Sequence, residues 1–293
     1  MTDWNQISAH IRAHTGQACQ PGAIQEVGGG CINRAFVLRD GKGSWFVKLN
    51  AAERLDMFQA EAAGLEALAA AEAFRVPIPL GAGLAGDQAF LVLEHLPFGQ
   101  PGRGGGAEAG RQLAHLHRHG QTHFGWNRDN FIGSTPQANG EDRDWVRFWQ
   151  TRRLGPQLDL ALTQGFGGRL QDRGWRLVEE CPALIEHAPL SSLLHGDLWS
   201  GNMAFDAKGQ PVLFDPAVYY GDREADLAMT ELFGGFGPDF QAAYREAWPL
   251  APGYQHRRDL YNLYHILNHL NLFGAGYLSQ ALGMIERLLA VWH

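Results

Sequence analysis

His195-Gly196-Asp197-Leu198-Trp199-Ser200-Gly201-Asn202 is the stretch of this 293-residue chain that decides its fold. Within it, Asn202 follows Asp197 by five positions. A carboxylate can accept the proton of an attacking hydroxyl, and an amide oxygen can ligate magnesium without adding charge. The stretch therefore predicts a catalytic loop for phosphoryl transfer, in which Asp197 is the base and Asn202 a metal ligand.

A second carboxylate follows the loop beyond a predicted β-hairpin. Residues 202–205 and 211–214 have the strand pattern, a turn of the type Asp-Ala-Lys-Gly separates them, and Asp215 ends the second strand. Protein kinases have the same spacing in the catalytic loop and a metal-binding Asp further along the chain. Alone, a His-Gly-Asp turn and a strand-end Asp would be ordinary structural features. Together they predict that Asp215 shares the magnesium with Asn202.

A kinase also needs a lysine for the nucleotide phosphates and a glutamate that holds this lysine. Lys48 ends the apolar strand pattern Trp45-Phe46-Val47. Glu61 and Glu66 lie on the helix predicted after it. Glu61 is the preferred partner because apolar side chains three, four and seven positions away place it beside the packing face, namely Phe58, Leu65 and Leu68.

The remaining nucleotide contacts are expected from main-chain groups. The run Gly28-Gly29-Gly30 lacks the Gly-x-Gly-x-x-Gly spacing, but it would let backbone N–H groups approach phosphates closely. Backbone groups near Glu94 and Leu96 are expected to contact adenine. Cys31, beside the glycine run, is either a redox-sensitive thiol or a half-buried apolar residue.

The order of predicted elements indicates an α+β protein with two lobes. The first half has helices at 3–15 and 53–72 and strands at 24–27, 35–39, 44–49, 77–80 and 89–94. The second half has helices at 107–119, 142–152, 155–164, 169–180, 239–247, 257–273 and 276–291. We expect a small β-rich N-lobe at 1–95 that binds nucleotide, a larger mostly helical C-lobe at 96–293 that carries catalysis, and a ligand cleft between them.

Composition excludes several classes of protein. The net charge of −7 offers no general attraction to nucleic acid or to an anionic membrane. The sequence has no signal-peptide pattern and no apolar run of the roughly 20 residues that a membrane span needs. Its three cysteines fit neither a disulfide framework nor a zinc site. The histidines at 115, 117 and 119, and at 265 and 269, are interpreted as packing or surface residues. We expect a cytoplasmic protein, monomeric or dimeric.

The assembled motifs resemble the fructosamine (ketosamine) kinase family, relatives of the aminoglycoside phosphotransferases and choline kinases, with the bilobal protein-kinase-like fold. Trp199-Ser200-Gly201 inside the loop, and Asp215-Pro216-Ala217 in place of Asp-Phe-Gly, distinguish this family from protein kinases. Four stretches carry the resemblance: GGGCINRA at 28–35, RRLGPQL at 152–158, HGDLWSGN at 195–202 and DPAVYYGDREADLAM at 215–229.

The resemblance implies a substrate and assigns roles. It implies ATP- and Mg²⁺-dependent phosphorylation of the 3-hydroxyl of ketosamines, free or protein-bound, as a deglycation repair reaction. Asp197 would be the base, Asn202 and Asp215 would hold magnesium, and Lys48 with Glu61 would fix the nucleotide. Asp226 would be a buried acid that supports the catalytic loop.

Several questions stay open at this point. Trp199 faces the sugar or packs beneath the hairpin, and the residues at 222–224 contact the substrate amine or hold the loop after Asp215. A kinase for an aminoglycoside, choline or homoserine is the alternative within enzymes. A non-catalytic pseudokinase is disfavoured because Asp197, Asn202, Asp215 and Lys48 are all present. A protein kinase is disfavoured because no Ala-Pro-Glu motif follows Asp215.

Overall fold

The computed structural model describes residues 2–16, 23–28, 32–41 and 43–292, and the chain packs as two compact units. The first unit comprises Met1–Arg103 and Ala204–Pro216, and the second Gly104–Met203 and Ala217–His293. The helices are α1 (Trp4–Thr15), α2 (Leu55–Ala70), α3 (Gly105–Leu116), α4 (Trp145–Trp149), α5 (Gly155–Thr163), α6 (Arg169–Glu180), α7 (Glu224–Leu232), α8 (Pro238–Ala247), α9 (Tyr254–Phe273) and α10 (Leu278–Leu289). The strands are β1 (Ala23–Val27), β2 (Arg34–Arg39), β3 (Ser44–Ala51), β4 (Pro79–Ala85), β5 (Gln88–Glu94), β6 (Asn130–Ile132), β7 (Thr135–Gln137), β8 (Ser191–Leu194), β9 (Met203–Phe205), β10 (Pro211–Leu213) and β11 (Tyr219–Asp222).

The first unit is built on a five-stranded antiparallel sheet in the order β1-β2-β3-β5-β4. Helix α1 supplies Ile7 and Ile11 to a core that includes Trp45, Val47 and Leu49 of β3. Side chains alternate between the two faces of a strand. Lys48 therefore lies on the opposite face of β3, where Glu61 of α2 contacts it.

The segment 204–216 packs with this sheet, although the predicted boundary between residues 95 and 96 assigns it to the other lobe. The backbone N–H of Leu213 donates to the carbonyl of Arg75 at 3.0 Å, and that of Gly99 donates to Phe205 at 2.8 Å. These bonds attach the hairpin that leads to Asp215 to the rest of the first unit. The functional division into two lobes at that boundary stays a prediction.

The second unit is mostly helical. Helix α9 packs against α5, α7 and α10, and α3 packs against α8. Strand β8 pairs antiparallel with β11, with Leu194 opposite Tyr219. Strand β8 directly precedes residues 195–202, and β11 lies in the segment of the second unit that begins at Ala217.

Helices α4 and α5 are joined by a π-helical turn at Gln150–Leu154, where the sequence predicts two separate helices at 142–152 and 155–164. Pro156 has no N–H with which to bond the carbonyl of Arg152. The guanidinium of Arg153 donates to that carbonyl instead, at 2.9 Å. The wide turn is thus maintained by a side chain.

Within the described ranges, the structure contains no helix that is both long enough and apolar enough to cross a membrane.

Candidate active site

Lys48 lies between two carboxylates of the first unit. Its Nζ atom donates to Glu61 Oε1 at 2.6 Å and to Asp215 Oδ1 at 2.5 Å. Lys48 is only 6% exposed. Burial alone would lower the pKa of Lys48, but attraction to Asp215 and Glu61 outweighs it and raises the pKa above its ordinary value. The lysine therefore stays charged at neutral pH, which the predicted role as a phosphate ligand requires.

Glu61 is held in a different electrostatic state from an exposed glutamate. Burial raises the pKa of Glu61 to about 7, and the neighbouring Lys48 limits the shift. Glu66, the other glutamate considered from the sequence, is exposed. The structure therefore brings Glu61 to Lys48 and leaves Glu66 in solvent.

Asp215 has a backbone conformation that few non-glycine residues adopt. Its φ is 55°, in the left-handed region where an L-residue is strained. The hairpin anchors the preceding residues, and the ring of Phe214 stacks on Phe98 with centroids 5.3 Å apart. This strained conformation is maintained while the carboxylate of Asp215 points at Lys48.

Part of the glycine run lies outside the described residues, namely Gly29, Gly30 and Cys31. Gly28 is described and exposed. On the far side of the run, Asn50 Nδ2 donates to Asn33 Oδ1 at 2.7 Å and to the carbonyl of Ile32 at 3.3 Å. Asn50 therefore connects Ile32 and Asn33, which follow the run, to β3 at a position two residues from Lys48.

Glu94 and Leu96 follow the central sheet into the connecting segment. The Glu94 carboxylate accepts a hydrogen bond from Arg75 and one from the backbone N–H of Ile78 at 3.3 Å. The Glu94 side chain is thus used within the protein, and Leu96 is half-buried. An adenine contact at these positions would be made by the main chain, as expected from the sequence.

The predicted catalytic loop, residues 195–202, lies in the second unit. Asn202 Nδ2 donates to the Asp197 carbonyl at 2.9 Å and to Asp197 Oδ2 at 3.1 Å. A 3₁₀ turn at Ser200–Asn202 returns the chain so that this contact can form. Because the amide nitrogen faces Asp197, the amide oxygen of Asn202 is directed away from it. The loop thus couples the orientation of the predicted base to that of a predicted magnesium ligand.

Asp226 of α7 holds the start of this loop. Its carboxylate accepts the backbone N–H of His195 at 2.7 Å and of Gly196 at 2.9 Å, and it contacts His117 Nε2 at 3.2 Å. Burial would raise the pKa of Asp226, but the hydrogen bond and charge of His117 and the bond from Gly196 hold it below its ordinary value. The buried carboxylate is therefore an ionised anchor for the loop backbone.

Gly196 is needed at its position for two reasons. Its φ is 82°, and a Cβ atom there would lie 2.0 Å from the carbonyl oxygen of Ala217. The backbone N–H of Ala217 in turn donates to the carbonyl of His195 at 2.9 Å. The catalytic loop and the residues after Asp215-Pro216 are thus in direct backbone contact.

The residues left open in the sequence interpretation have defined surroundings. Trp199 is 39% exposed, with its ring against Gly201.

The side chains at 222–224 are bonded to other residues of the second unit. Asp222 accepts a hydrogen bond from Tyr261 at 2.6 Å and contacts His187, and Glu224 pairs with Arg257. Arg223 donates to Tyr244 Oη at 3.0 Å and to the carbonyls of Trp248 and Pro249. The residues at 222–224 therefore hold the second unit together.

His117 is a supporting residue that sequence reasoning missed. It is 1% exposed, and its Nδ1 lies 2.8 Å from Tyr244 Oη while Nε2 faces Asp226. The alternation of His115, His117 and His119 at and just beyond the end of α3 did not distinguish the middle histidine as buried. Only its pairing with Asp226, which is 109 residues distant in sequence, reveals its role.

Comparison with known proteins gives consistent matches over the whole chain. The family model described as fructosamine kinase matches residues 3–291. A "probable ketoamine kinase" of Synechocystis is 47% identical over 289 residues, covering 98% of this chain and 97% of the relative. The chloroplastic protein-ribulosamine 3-kinase of Arabidopsis thaliana is 46% identical over 275 residues, covering 92% of this chain and 84% of the relative.

Solved structures match the fold along the chain. A crystal structure from Haemophilus somnus, provisionally named fructosamine-3-kinase, has a TM-score of 0.91 at 30% identity and covers 98% of both chains. An aminoglycoside phosphotransferase in ternary complex with ADP and hygromycin B has a TM-score of 0.62 at 14% identity, covering 97% of this chain and 98% of that one, which compares the fold alone. The predicted α+β protein-kinase-like fold and the family resemblance are confirmed.

Proposed function

The chain belongs to the fructosamine kinase family, and we propose that it transfers the γ-phosphoryl group of ATP to the 3-hydroxyl of ketosamines. The observation that carries this proposal is the loop in which Asn202 fixes Asp197 while Asp226 holds the backbone before it. Phosphoryl transfer depends mainly on positioning and on charge stabilisation. A loop held at both ends supplies the first of these.

Lys48, Glu61 and Asp215 form the proposed nucleotide-binding group. Lys48 would bind the phosphates, and Glu61 would keep its Nζ atom in place when Asp215 turns to a metal ion. The raised pKa of Lys48 supports this role because the lysine keeps its charge in a buried site. The glycine run from Gly28 to Gly30 would bring backbone N–H groups to the same phosphates.

Asn202 and Asp215 would hold magnesium. One amide oxygen and one carboxylate are hard oxygen donors of the kind that Mg²⁺ prefers, and they fit a metal that retains water and phosphate ligands. When bound, magnesium would neutralise the phosphate charge during transfer. Asp197 would accept the proton of the attacking hydroxyl and orient that hydroxyl towards the phosphorus.

The proposed acceptor is a ketosamine because relatives that are 47% and 46% identical to this chain are named as a ketoamine kinase and a ribulosamine kinase. The acceptor would be a free ketosamine or a sugar adduct on a protein lysine. The partly exposed ring of Trp199, two residues after Asp197, could offer an apolar face to the sugar. We place this activity in the cytoplasm and expect a monomer to suffice for it, with no nucleic acid or membrane partner.

The proposal is tested by ADP release on a panel of acceptors at saturating ATP and Mg²⁺. The panel contains fructoselysine, ribuloselysine, a ribulosamine-modified protein, kanamycin, choline and homoserine. We expect turnover on the ketosamines, with the phosphate at carbon 3 by ³¹P–¹H correlation. Turnover on kanamycin, choline or homoserine alone would contradict the acceptor assignment and leave the kinase assignment intact.

A further inference from the structure

Arg153 is a buried cation with no ionised partner in the described part of the chain. It is 0% exposed, and its guanidinium forms no ion pair with any described carboxylate. The guanidinium lies 4.0 Å from the centroid of the Tyr219 ring and 4.7 Å from that of Phe148. Its Nε atom has no hydrogen-bond partner. A buried charge without an ionised partner lowers the stability of the folded protein. The presence of Arg153 at this position therefore points to a role other than packing.

Arg153 is the donor in each of its hydrogen bonds with neighbouring oxygen atoms. Nη1 donates to the carbonyls of Ala138 and Arg152, at 2.7 and 2.9 Å, and Nη2 donates to Asn139 Oδ1 at 2.7 Å. A guanidinium has donors and no acceptor. Asn139 must therefore present its oxygen to Arg153, which fixes the orientation of an amide that could otherwise flip.

This orientation is passed to the next amide. Asn139 Nδ2 donates to Asn130 Oδ1 at 2.8 Å, and Asn130 Nδ2 donates to the carbonyl of Val218 at 2.8 Å. If either amide flipped, two acceptors or two donors would face each other in a buried site. The donor-to-acceptor direction of this series of hydrogen bonds is therefore set at Arg153. The last bond of the series is donated by Asn130 to the carbonyl of Val218.

A third amide joins the same chain. Gln137 Nε2 donates to Asn130 Oδ1 at 2.8 Å and to the carbonyl of Ala217 at 3.2 Å, while its Oε1 accepts from Tyr264 Oη at 2.7 Å. We call Asn130, Gln137 and Asn139 the amide relay. The relay thus places two donors on consecutive carbonyls, at 217 and 218, and Ala217 contacts the backbone of His195 and Gly196.

We propose that Arg153 is a positioning residue, which orients the amide relay and through it fixes Ala217 and Val218 against the catalytic loop. The inference rests on the proposed function, since it assumes that Asp197 in that loop is the base. A donor-only group suits this position because it can only donate to Asn139, and the fork of an arginine also reaches the carbonyls of Ala138 and Arg152. Arg153 also occupies the π-helical turn and bonds the carbonyl that Pro156 leaves without its helical partner.

The first test compares Arg153→Met with Arg153→Lys. Methionine retains bulk and removes every donor, whereas lysine retains a donor-only head group. At a temperature where both variants are folded by circular dichroism, Arg153→Met should lower kcat about tenfold to hundredfold and leave KM for ATP within about twofold. Arg153→Lys should recover part of the loss. A folded Arg153→Met enzyme with native kcat would overturn the proposal.

Gln157→Met is the matched control, because Gln157 lies one turn further along, is also buried, and bonds Asn268 and Asn271 of α9 instead of the relay. It should lower the melting temperature and leave kcat within about twofold of the native value. An equal fall in kcat in Gln157→Met and Arg153→Met would mean that general loosening of the helix, and not the relay, lowers activity.

The second test is Asn139→Asp, which separates pairing of the charge from direction of the relay. The new carboxylate can accept from Arg153 as an ion-pair partner, but it has no N–H for Asn130 Oδ1. We expect kcat to fall about tenfold even where the variant is folded. Native kcat in this variant would show that Arg153 needs only a partner for its charge, and would overturn the relay. Asp197→Ala, measured in parallel, reports separately on the proposed function.

Discussion

The carboxylate of Asp226 and the backbone N–H of Gly196 are 2.9 Å apart, and the same carboxylate accepts the N–H of His195 at 2.7 Å. Two adjacent backbone groups of the catalytic loop are therefore held by one buried side chain. Asp226 comes from helix α7, which follows the strand that pairs with β8. The loop that carries Asp197 is fixed in place by the same segment of chain that follows Asp215.

Asp226→Asn should separate loop positioning from nucleotide binding. An amide has one acceptor oxygen, so its nitrogen would face one of the two N–H donors and leave it unsatisfied. We expect the free energy of unfolding to fall by about 2 kcal/mol and kcat to fall at least tenfold. KM for ATP should stay within about twofold. A variant with native kcat would contradict the anchoring role.

Gly196→Ala should be much more harmful than alanine at another left-handed glycine. Gly104 has a φ of 74° and a ψ of 18°, in the left-handed region, and a Cβ atom added there would meet no described atom within 4 Å beyond its chain neighbours, so Gly104→Ala measures strain alone. We expect it to cost about 1 kcal/mol of unfolding free energy. Gly196→Ala adds the clash with the carbonyl of Ala217 and should cost more and lose nearly all activity. Similar urea-unfolding results for the two variants would contradict this close approach.

Glu61→Gln should weaken nucleotide binding specifically. Lys48 is bound by two carboxylates, those of Glu61 and Asp215. The change replaces the first with an uncharged amide of nearly the same shape. We expect KM for ATP to rise about tenfold, which corresponds to about 1.4 kcal/mol. Glu66→Gln, on the exposed face of the same helix, is the matched control and should leave KM unchanged. A larger effect at Glu66 than at Glu61 would contradict the proposed pair.

His265 should contribute to acid sensitivity. Burial lowers the pKa of His265 to about 3, and the nearby His269 acts in the same direction. The unfolded state, with a pKa near 6.5, therefore binds this proton first as pH falls, and stability is lost below that value. Between pH 7.5 and 5 the loss from this group should be about 2 kcal/mol. Urea unfolding of His265→Leu should lack this component, and an unchanged pH dependence would contradict it.

The fold and the principal motifs could be predicted because their signals are local. The spacing of Asp197 and Asn202, and the strand pattern that contains Lys48, are visible in a few consecutive residues, although β3 continues beyond Lys48 to Ala51. The choice of Glu61 over Glu66 followed from the packing face of one helix, and the structure places Glu61 at Lys48. Helix boundaries that depend on apolar periodicity were also close, as at 239–247 for α8 (Pro238–Ala247).

Elements stabilised by distant partners were missed. Helix α7 buries two charged residues, Glu224 and Asp226, which bond Arg257 and the backbone of the loop at 195–202. Because charged residues usually face solvent, the sequence of α7 does not show an apolar packing face. Strands β6 and β7 have three residues each, and their side chains bond the backbone after Asp215. Sequence patterns over a few turns cannot reveal such pairings, because the stabilising groups are 31 and 33 positions away for α7 and 88 and 80 positions away for β6 and β7.

Asp197 holds the central place in the proposed mechanism, as the base for phosphoryl transfer to a ketosamine. The most direct measurement is single-turnover phosphorylation of fructoselysine or ribuloselysine by the native enzyme and by Asp197→Ala, with ATP affinity measured in parallel. We expect the rate constant to fall at least a thousandfold while the Kd for ATP changes less than about threefold. A near-native rate constant in Asp197→Ala would contradict the mechanism.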